Sequence, residues 1–148
     1  LSQRARLVLR VPRTHVASLA DLAGRDLDVA GHRVRLGEPH LRELLPHNPL
    51  YAHFVAADLD AGTGDEDEAA FLAAVNAELD ALGAACRRIC GRRQRIRGGE
   101  RALVGYSLML HGLAAADALR VLEAGVGGHR RLGAGVFVPH RSAAAVGG

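Results

Sequence analysis

Lysine is absent from this 148-residue chain, whose 19 cationic side chains are all arginine. A Walker A phosphate loop needs a lysine after its glycines, so that nucleotide-binding device is excluded. Together with abundant Ala, Gly and Val, the exclusive use of arginine reads as the compositional bias of a GC-rich genome. Cysteine is scarce. Cys86 and Cys90 are too few for a disulfide framework, and their C-x3-C spacing lacks the second ligand pair of a zinc site. Two such thiols on a strand read as small apolar filler. No apolar run approaches the ~18 to 20 residues of a membrane span, and the opening LSQRARLVLR holds no signal-peptide segment, so no membrane is expected as partner and cytoplasm is the default compartment. An initiator Met is also missing, and Leu1 runs almost directly into the strand-like RLVLRVP, so a truncated N-terminus is expected.

What is present suffices for a globular core, with 49% of residues hydrophobic. Charge is divided unevenly: residues 1–80 carry 8 Arg against 13 Asp and Glu, whereas residues 81–148 carry 11 Arg against 3. A basic half joined to an acidic half implies one surface that faces a polyanion, and arginine's planar fork suits phosphate.

Alternation of Leu7, Leu9 and Val11 with Arg6, Val8 and Arg10 predicts a strand over residues 6–11. Val16, Leu19, Ala20 and Ala23, after Pro12 and before Gly24, predict a helix. DLDV, an Ala30-Gly31 turn and HRVRL predict two short strands, and PHNP at 46–49 reads as a linker. LYAHFVA at 50–56 is strand-like. A long helix follows, with capping-box spacing at Thr63 and Glu66, acids at 65–68 matching the helix dipole, a stripe of Leu72, Val75, Leu79 and Leu82, and a stop at Gly83. CRRICGRRQRIR and ALVGYSLML, joined at Gly98-Gly99-Glu100, form a predicted hairpin in which Val104, Tyr106, Leu108 and Leu110 share a face. AADALRVLEA at 115–124 reads as a helix with Leu119 and Leu122 inward and Gly125 as its cap, and GVFVP as the last strand. The order over 50–141 is β-α-β-β-α-β, a complete α+β ferredoxin-like domain with a glycine-rich loop at 125–135. Residues 1–47 read as the end of a partial second one.

The candidate chemistry lies in two stretches. Period-two spacing places Arg87, Arg93, Arg95 and Arg97 on one face, about 6.6 Å apart where consecutive, a spacing that can follow successive phosphates. Arg88 and Arg92 have the opposite parity, which requires a bulge near Gly91 or partial exposure. The second stretch, GVGGHRRLGAGVFVPH, carries His129, Arg130 and Arg131 among Gly127, Gly128, Gly133 and Gly135. Its glycines follow a helix rather than a strand, and Arg130 stands where a dinucleotide-binding turn has its third glycine. Bare backbone there would let amides and guanidinium groups approach a phosphodiester. Ribbon and loop are expected to form one continuous cradle for a ribonucleotide backbone.

The run G-V-G-G-H-R-R-L-G-A-G-V-F-V-P resembles the C-terminal glycine-rich loop of the CRISPR-associated endoribonucleases that cut precursor CRISPR RNA within its repeats. Residues 103–140 are similar in particular to the myxan subtype, and the order of elements matches the family's two ferredoxin-like domains. The resemblance implies metal-independent cleavage in antiviral defence, with the ribose 2′-OH attacking the adjacent phosphate to leave a 2′,3′-cyclic phosphate, and no cofactor or metal. It implies a partner RNA, the precursor CRISPR RNA repeat, and allows other subunits of a CRISPR effector complex. In many relatives the catalytic histidine lies on a first helix of the N-terminal domain, here missing. Among the histidines present, His129 is the first candidate base, beside Arg130 and Arg131, and His32 the second. Arg87, Arg93, Arg95, Arg97, Gly127, Gly128, Arg130, Arg131, Gly133 and Gly135 are the expected RNA contacts. A non-catalytic RNA-holding subunit of the same build and a small-molecule-binding regulator remain as alternatives. An RNA-recognition motif fits less well, because none of the five aromatic residues lies on the arginine-rich strand.

Overall fold

The structure, a computed structural model, describes residues 6–57, 65–98 and 101–141. The chain divides into two compact units, Leu1–Glu43 and Leu44–Gly148.

In the first unit, the strand expected at 6–11 does not form: these residues pair with no strand among the described residues, and Leu7, Val8 and Leu9 are exposed. Alternation alone does not make a strand, because its backbone groups need a ladder partner. The expected helix is two short 3-10 turns, Arg13–His15 and Ala17–Leu22, with no buried residue. Helices owe most of their stability to a packed apolar face, and here Val16, Leu19, Leu22 and Ala23 are only half-buried. The two predicted strands are present as a hairpin of β1 (Asp26–Val29) and β2 (His32–Arg35), turning at Ala30 and Gly31, whose φ values of 52° and 79° define a primed turn. The Asp28 carboxylate accepts a hydrogen bond from the Gly31 amide at 3.0 Å.

The second unit contains β3 (Leu50–Ala57), α1 (Asp65–Ala81), β4 (Arg87–Gly98), β5 (Arg101–His111), α2 (Ala115–Ala124) and β6 (Val138–Pro139). The sheet order is β4-β5-β3-β6 with every pair antiparallel, which is the ferredoxin-like arrangement. Both helices pack on one face, where Phe71, Val75 and Leu79 of α1 and Ala118, Val121 and Leu122 of α2 meet Leu50, Ala52, Val55, Tyr106, Leu108 and Leu110. The α1 stripe therefore begins at Phe71, with Leu72 and Leu82 on its flank; in α2 it is Ala118 and Val121, not Leu119, that join Leu122 inside. The remaining face of β5 is also buried at Gly105, Ser107 and Met109, so β5 is a central strand with little polar surface.

The end of α1 is closed by bonds from the Ala84 amide to the Leu79 carbonyl and from the Gly83 amide to the Asp80 carbonyl, a Schellman pattern with Leu79 and Ala84 both buried. Arg120 of α2 completes it, donating to the carbonyls of Leu82 at 2.8 Å and Gly83 at 3.0 Å while paired with Asp117. A cation at a helix C-terminus is favourable, so this one side chain ties the two helices together. Within the same unit, Asn48 of the PHNP segment accepts from the amides of Gly112 and Leu113 ahead of α2. The last strand is shorter than GVFVP: only Val138 and Pro139 pair with β3, while Phe137 turns fully into the core. The Thr63 end of the expected capping box and the Gly99-Glu100 turn lie outside the described residues.

Leu79 is completely buried and Leu132 is 65% exposed. Leu79→Ala should therefore cost about 2 to 5 kcal/mol in urea denaturation, and Leu132→Ala less than about 0.5 kcal/mol.

Candidate functional site

Six of the twelve residues of β4 are arginine, and the strand forms one edge of the sheet. Between Cys90, opposite Leu108, and Arg93, opposite Tyr106, two residues of β4 face one of β5, so the bulge foreseen near Gly91 is present. The bulge reverses the parity beyond it. Arg93, Arg95 and Arg97 lie opposite Tyr106, Val104 and Ala102, on the side of the helices, whereas Arg87 lies opposite His111 on the other side. Arg87 thus does not share the face of the other three, as period-two spacing implied, and Arg88 does.

Arg93 is engaged from the helix side. Its guanidinium pairs with Asp67 of α1 at 3.4 Å and hydrogen-bonds the Tyr106 hydroxyl. Burial, with Asp67 as a smaller influence, pushes the Tyr106 hydroxyl above its ordinary pKa, and its ring stacks on Phe71 at 4.7 Å. Asp67, read from sequence as dipole complement, serves as a counter-ion. Arg95 and Arg97 extend past it and are exposed.

The glycine-rich loop runs along the other side of β3. Gly128 bridges to Ala56, the Gly135 amide donates to the Phe54 carbonyl at 2.7 Å, and the Val126 amide donates to the Gly135 carbonyl at 3.1 Å. The loop is therefore fastened at both ends, and a tip of Arg130–Leu132 projects as an exposed 3-10 turn. His129 precedes this turn in the left-handed region at φ 58° and is exposed. Several glycines have a packing reason that sequence reasoning missed. A Cβ on Gly127, at φ 82°, would sit 2.9 Å from the Val55 Cγ1, and one on Gly135, at φ 66°, would fall on the Val126 carbonyl oxygen. Gly133, at φ 86°, has open space around it.

Glu78 of α1 is the second missed residue. Its carboxylate accepts from the Gly127 amide at 2.9 Å and lies 3.9 Å from Arg130. The available signal was its place three residues after Val75 and seven after Phe71, one acid on the flank of an apolar stripe. Glu78 also borders a cleft of about 240 Å³ between α1, the end of β3 and the loop.

Ribbon and loop do not make one continuous cradle. β5 and β3 intervene, because in this topology the strand after α1 pairs beyond β5 while the loop returns to the far edge of β3. They do share one end of the sheet: Gln94, Gly105, Ala56 and Gly128 succeed one another across it. Three strand spacings, roughly 14 Å, separate the two basic margins. His32 opens β2 in the first unit and is exposed.

Cys86 and Cys90 are half-buried against the core. Burial, aided by Glu68, pushes the Cys90 thiol up to about 11, and burial raises Cys86 too, so neither is a nucleophile at neutral pH. Among the described residues no three His, Cys, Asp or Glu are grouped to hold a metal ion, and no helix is long and apolar enough to cross a membrane.

The family model described as Cas6 Crispr matches residues 1–142. A CRISPR-associated endonuclease Cas6 of Myxococcus xanthus strain DK1622 is 41% identical over 143 residues, which cover 97% of this chain and 60% of that protein. The chain thus spans about 60% of the length of this curated relative.

Two outcomes test this geometry. Gly135→Ala should destabilise by about 1 to 3 kcal/mol more than Gly133→Ala in thermal or urea unfolding, because only the former drives a methyl group into backbone. The folded chain should react with a disulfide reagent at pH 8 far more slowly than a denatured one, since a thiol at about 11 holds roughly a hundredfold less thiolate than one at 9. Raising the pH toward 11 should remove the difference.

Proposed function

The chain belongs to the Cas6 family of CRISPR-associated proteins, and on that premise we propose that it holds CRISPR repeat RNA and contributes to cutting it. What carries this reading is the charge layout of the sheet. Its four strands contain seven arginines and neither Asp nor Glu. A sheet with that imbalance suits a polyanion. Arg95 and Arg97 on one margin and Arg130 and Arg131 on the other contact the phosphodiester backbone near the same end of the sheet; the backbone at Gly128 and Gly133 shapes the approach, and Gly127 and Gly135 hold the loop in place for it. Arg87 adds a contact on the opposite face. Arg93, already paired with Asp67, contributes by completing the field. Residues 1–47 belong to a second ferredoxin-like domain, and the protein works in the cytoplasm, alone or with other subunits of an effector complex.

The reaction we propose is an internal transesterification. A base removes the 2′-OH proton, the 2′-oxygen bonds to the adjacent phosphorus, and the bond from phosphorus to the 5′-oxygen breaks as an acid supplies that oxygen with a proton. The products are a 2′,3′-cyclic phosphate and a free 5′-hydroxyl, so no metal-bound water is required. His129 is exposed at the loop tip with Arg130 and Arg131 next to it, which places a proton carrier beside cations able to stabilise the phosphorane.

Repeat RNA incubated with the chain in EDTA tests the reading. Cleavage should persist, with a 5′ fragment one water lighter than the linear phosphate, and His129→Ala should slow it about 10² to 10⁴-fold without weakening binding. Intact RNA held tightly would move the assignment to a non-catalytic RNA-holding role. Replacing Arg95, Arg97 and Arg131 together by Ala should weaken binding and flatten its dependence on salt, with the slope of log K against log salt smaller by about 2; an unaltered slope would remove these residues from the interface.

A further inference from the structure

The sheet face left uncovered by the helices carries a group of rings that the loop and the arginine ribbon do not use. Tyr51 lies on it, because its ladder partner Met109 alternates with Leu108 and Leu110, which pack under the helices. The Tyr51 ring meets His53 edge-on, with centroids 4.9 Å apart and planes at 80°, and meets His140 at 5.4 Å and 57°. His53, two residues after Tyr51, shares its face by ordinary alternation where the β3 bulge between Ala52 and Val55 begins, and Gln94 of β4 donates to the His53 carbonyl at 2.9 Å across the sheet. His53 is exposed and Tyr51 and His140 are half-buried, so the group is not core filling. On the same face His111 lies opposite the exposed Arg87, and none of the four strands contains an acidic residue.

Flat π surfaces set in a field of positive charge are what unpaired nucleotides require: bases stack on the rings while phosphates meet the cations. We propose that this face binds one or two unstacked bases of single-stranded RNA, with Tyr51 as the platform, His53 and His140 beside it and Arg87 against an adjoining phosphate. The inference rests on the RNA-binding reading above and assigns it a second contact region, on the face opposite Arg93, Arg95 and Arg97.

The test is photo-crosslinking of the full chain to a single-stranded RNA containing 4-thiouridine, followed by peptide mapping and by titrations at several salt concentrations. Crosslinks are expected at Tyr51, His53 or His140. Tyr51→Leu should lower affinity about 5- to 100-fold while Tyr51→Phe retains it, since stacking needs the ring and not the hydroxyl. His53→Ala, at an exposed position, should lower affinity with an unchanged unfolding midpoint. Both losses should leave the salt slope intact, because no phosphate contact is removed. Crosslinks confined to residues 92–97 and 125–135, with His53→Ala and Tyr51→Leu binding as the unmodified chain does, would overturn this site and leave the general RNA-binding reading standing. Absence of binding by the unmodified chain would overturn both.

Discussion

The position of β3 between two different partners governs the second unit. Along one edge it pairs with β5 from Leu50 to Ala57; along the other its carbonyls and amides are taken first by β6, at Leu50 and Tyr51, and then by the glycine-rich loop, at Phe54 and Ala56. Central strands must satisfy backbone groups on both sides, and here six residues of regular strand are replaced by a loop that meets that need at two points. The glycines follow from this duty. A loop lying this close to a strand leaves no room for side chains at Gly127 and Gly135. Backbone conformation that would be read as freedom for ligand approach is, at those positions, spent on packing, and exposure is confined to the tip at residues 129–133.

Charge is separated by element as well as by chain half. In the second unit the described acids sit on α1 and α2, while the sheet strands hold none. Among the described residues two ion pairs reach from the helix acids to the sheet and loop, Asp67 with Arg93 and Glu78 with Arg130, while Asp117 pairs with Arg120 within α2. Each joins elements distant in sequence or caps a helix end, and each exposed pair by itself contributes little stability. Their larger effect is directional. Asp67 draws Arg93 toward the helix side and Glu78 holds the first turn of the loop, which leaves Arg95, Arg97 and Arg131 as outward charges near one end of the sheet. The opposite face gathers rings instead, so the two sides of one sheet offer a polyanion different chemistry.

Much of the second unit was legible because its signals are local. Apolar period, the helix stop at Gly83 and the cap at Gly125 depend on neighbours a few residues away, and these elements stand where they were expected. The resemblance of residues 103–140 to a family loop was legible for the same reason. Failures came where a partner was needed. Residues 6–11 alternate like a strand, yet alternation says nothing about who supplies the other half of the ladder.

The sequence alone determined the order of elements, the arginine content of β4 and the absence of acid from the four strands of the second unit, since these are properties of contiguous residues. Tertiary structure decided which way each arginine faces and what lies beside it. One additional residue at Gly91-Arg92 turns Arg87 away from Arg93, and another in β3 puts Val55 on the face of Leu50 and Ala52, with Phe54 and Ala56 on the other. A side chain's face depends on the parity of every pairing before it, so a single bulge, set by packing across strands far apart in the chain, reverses what period-two reading assigns.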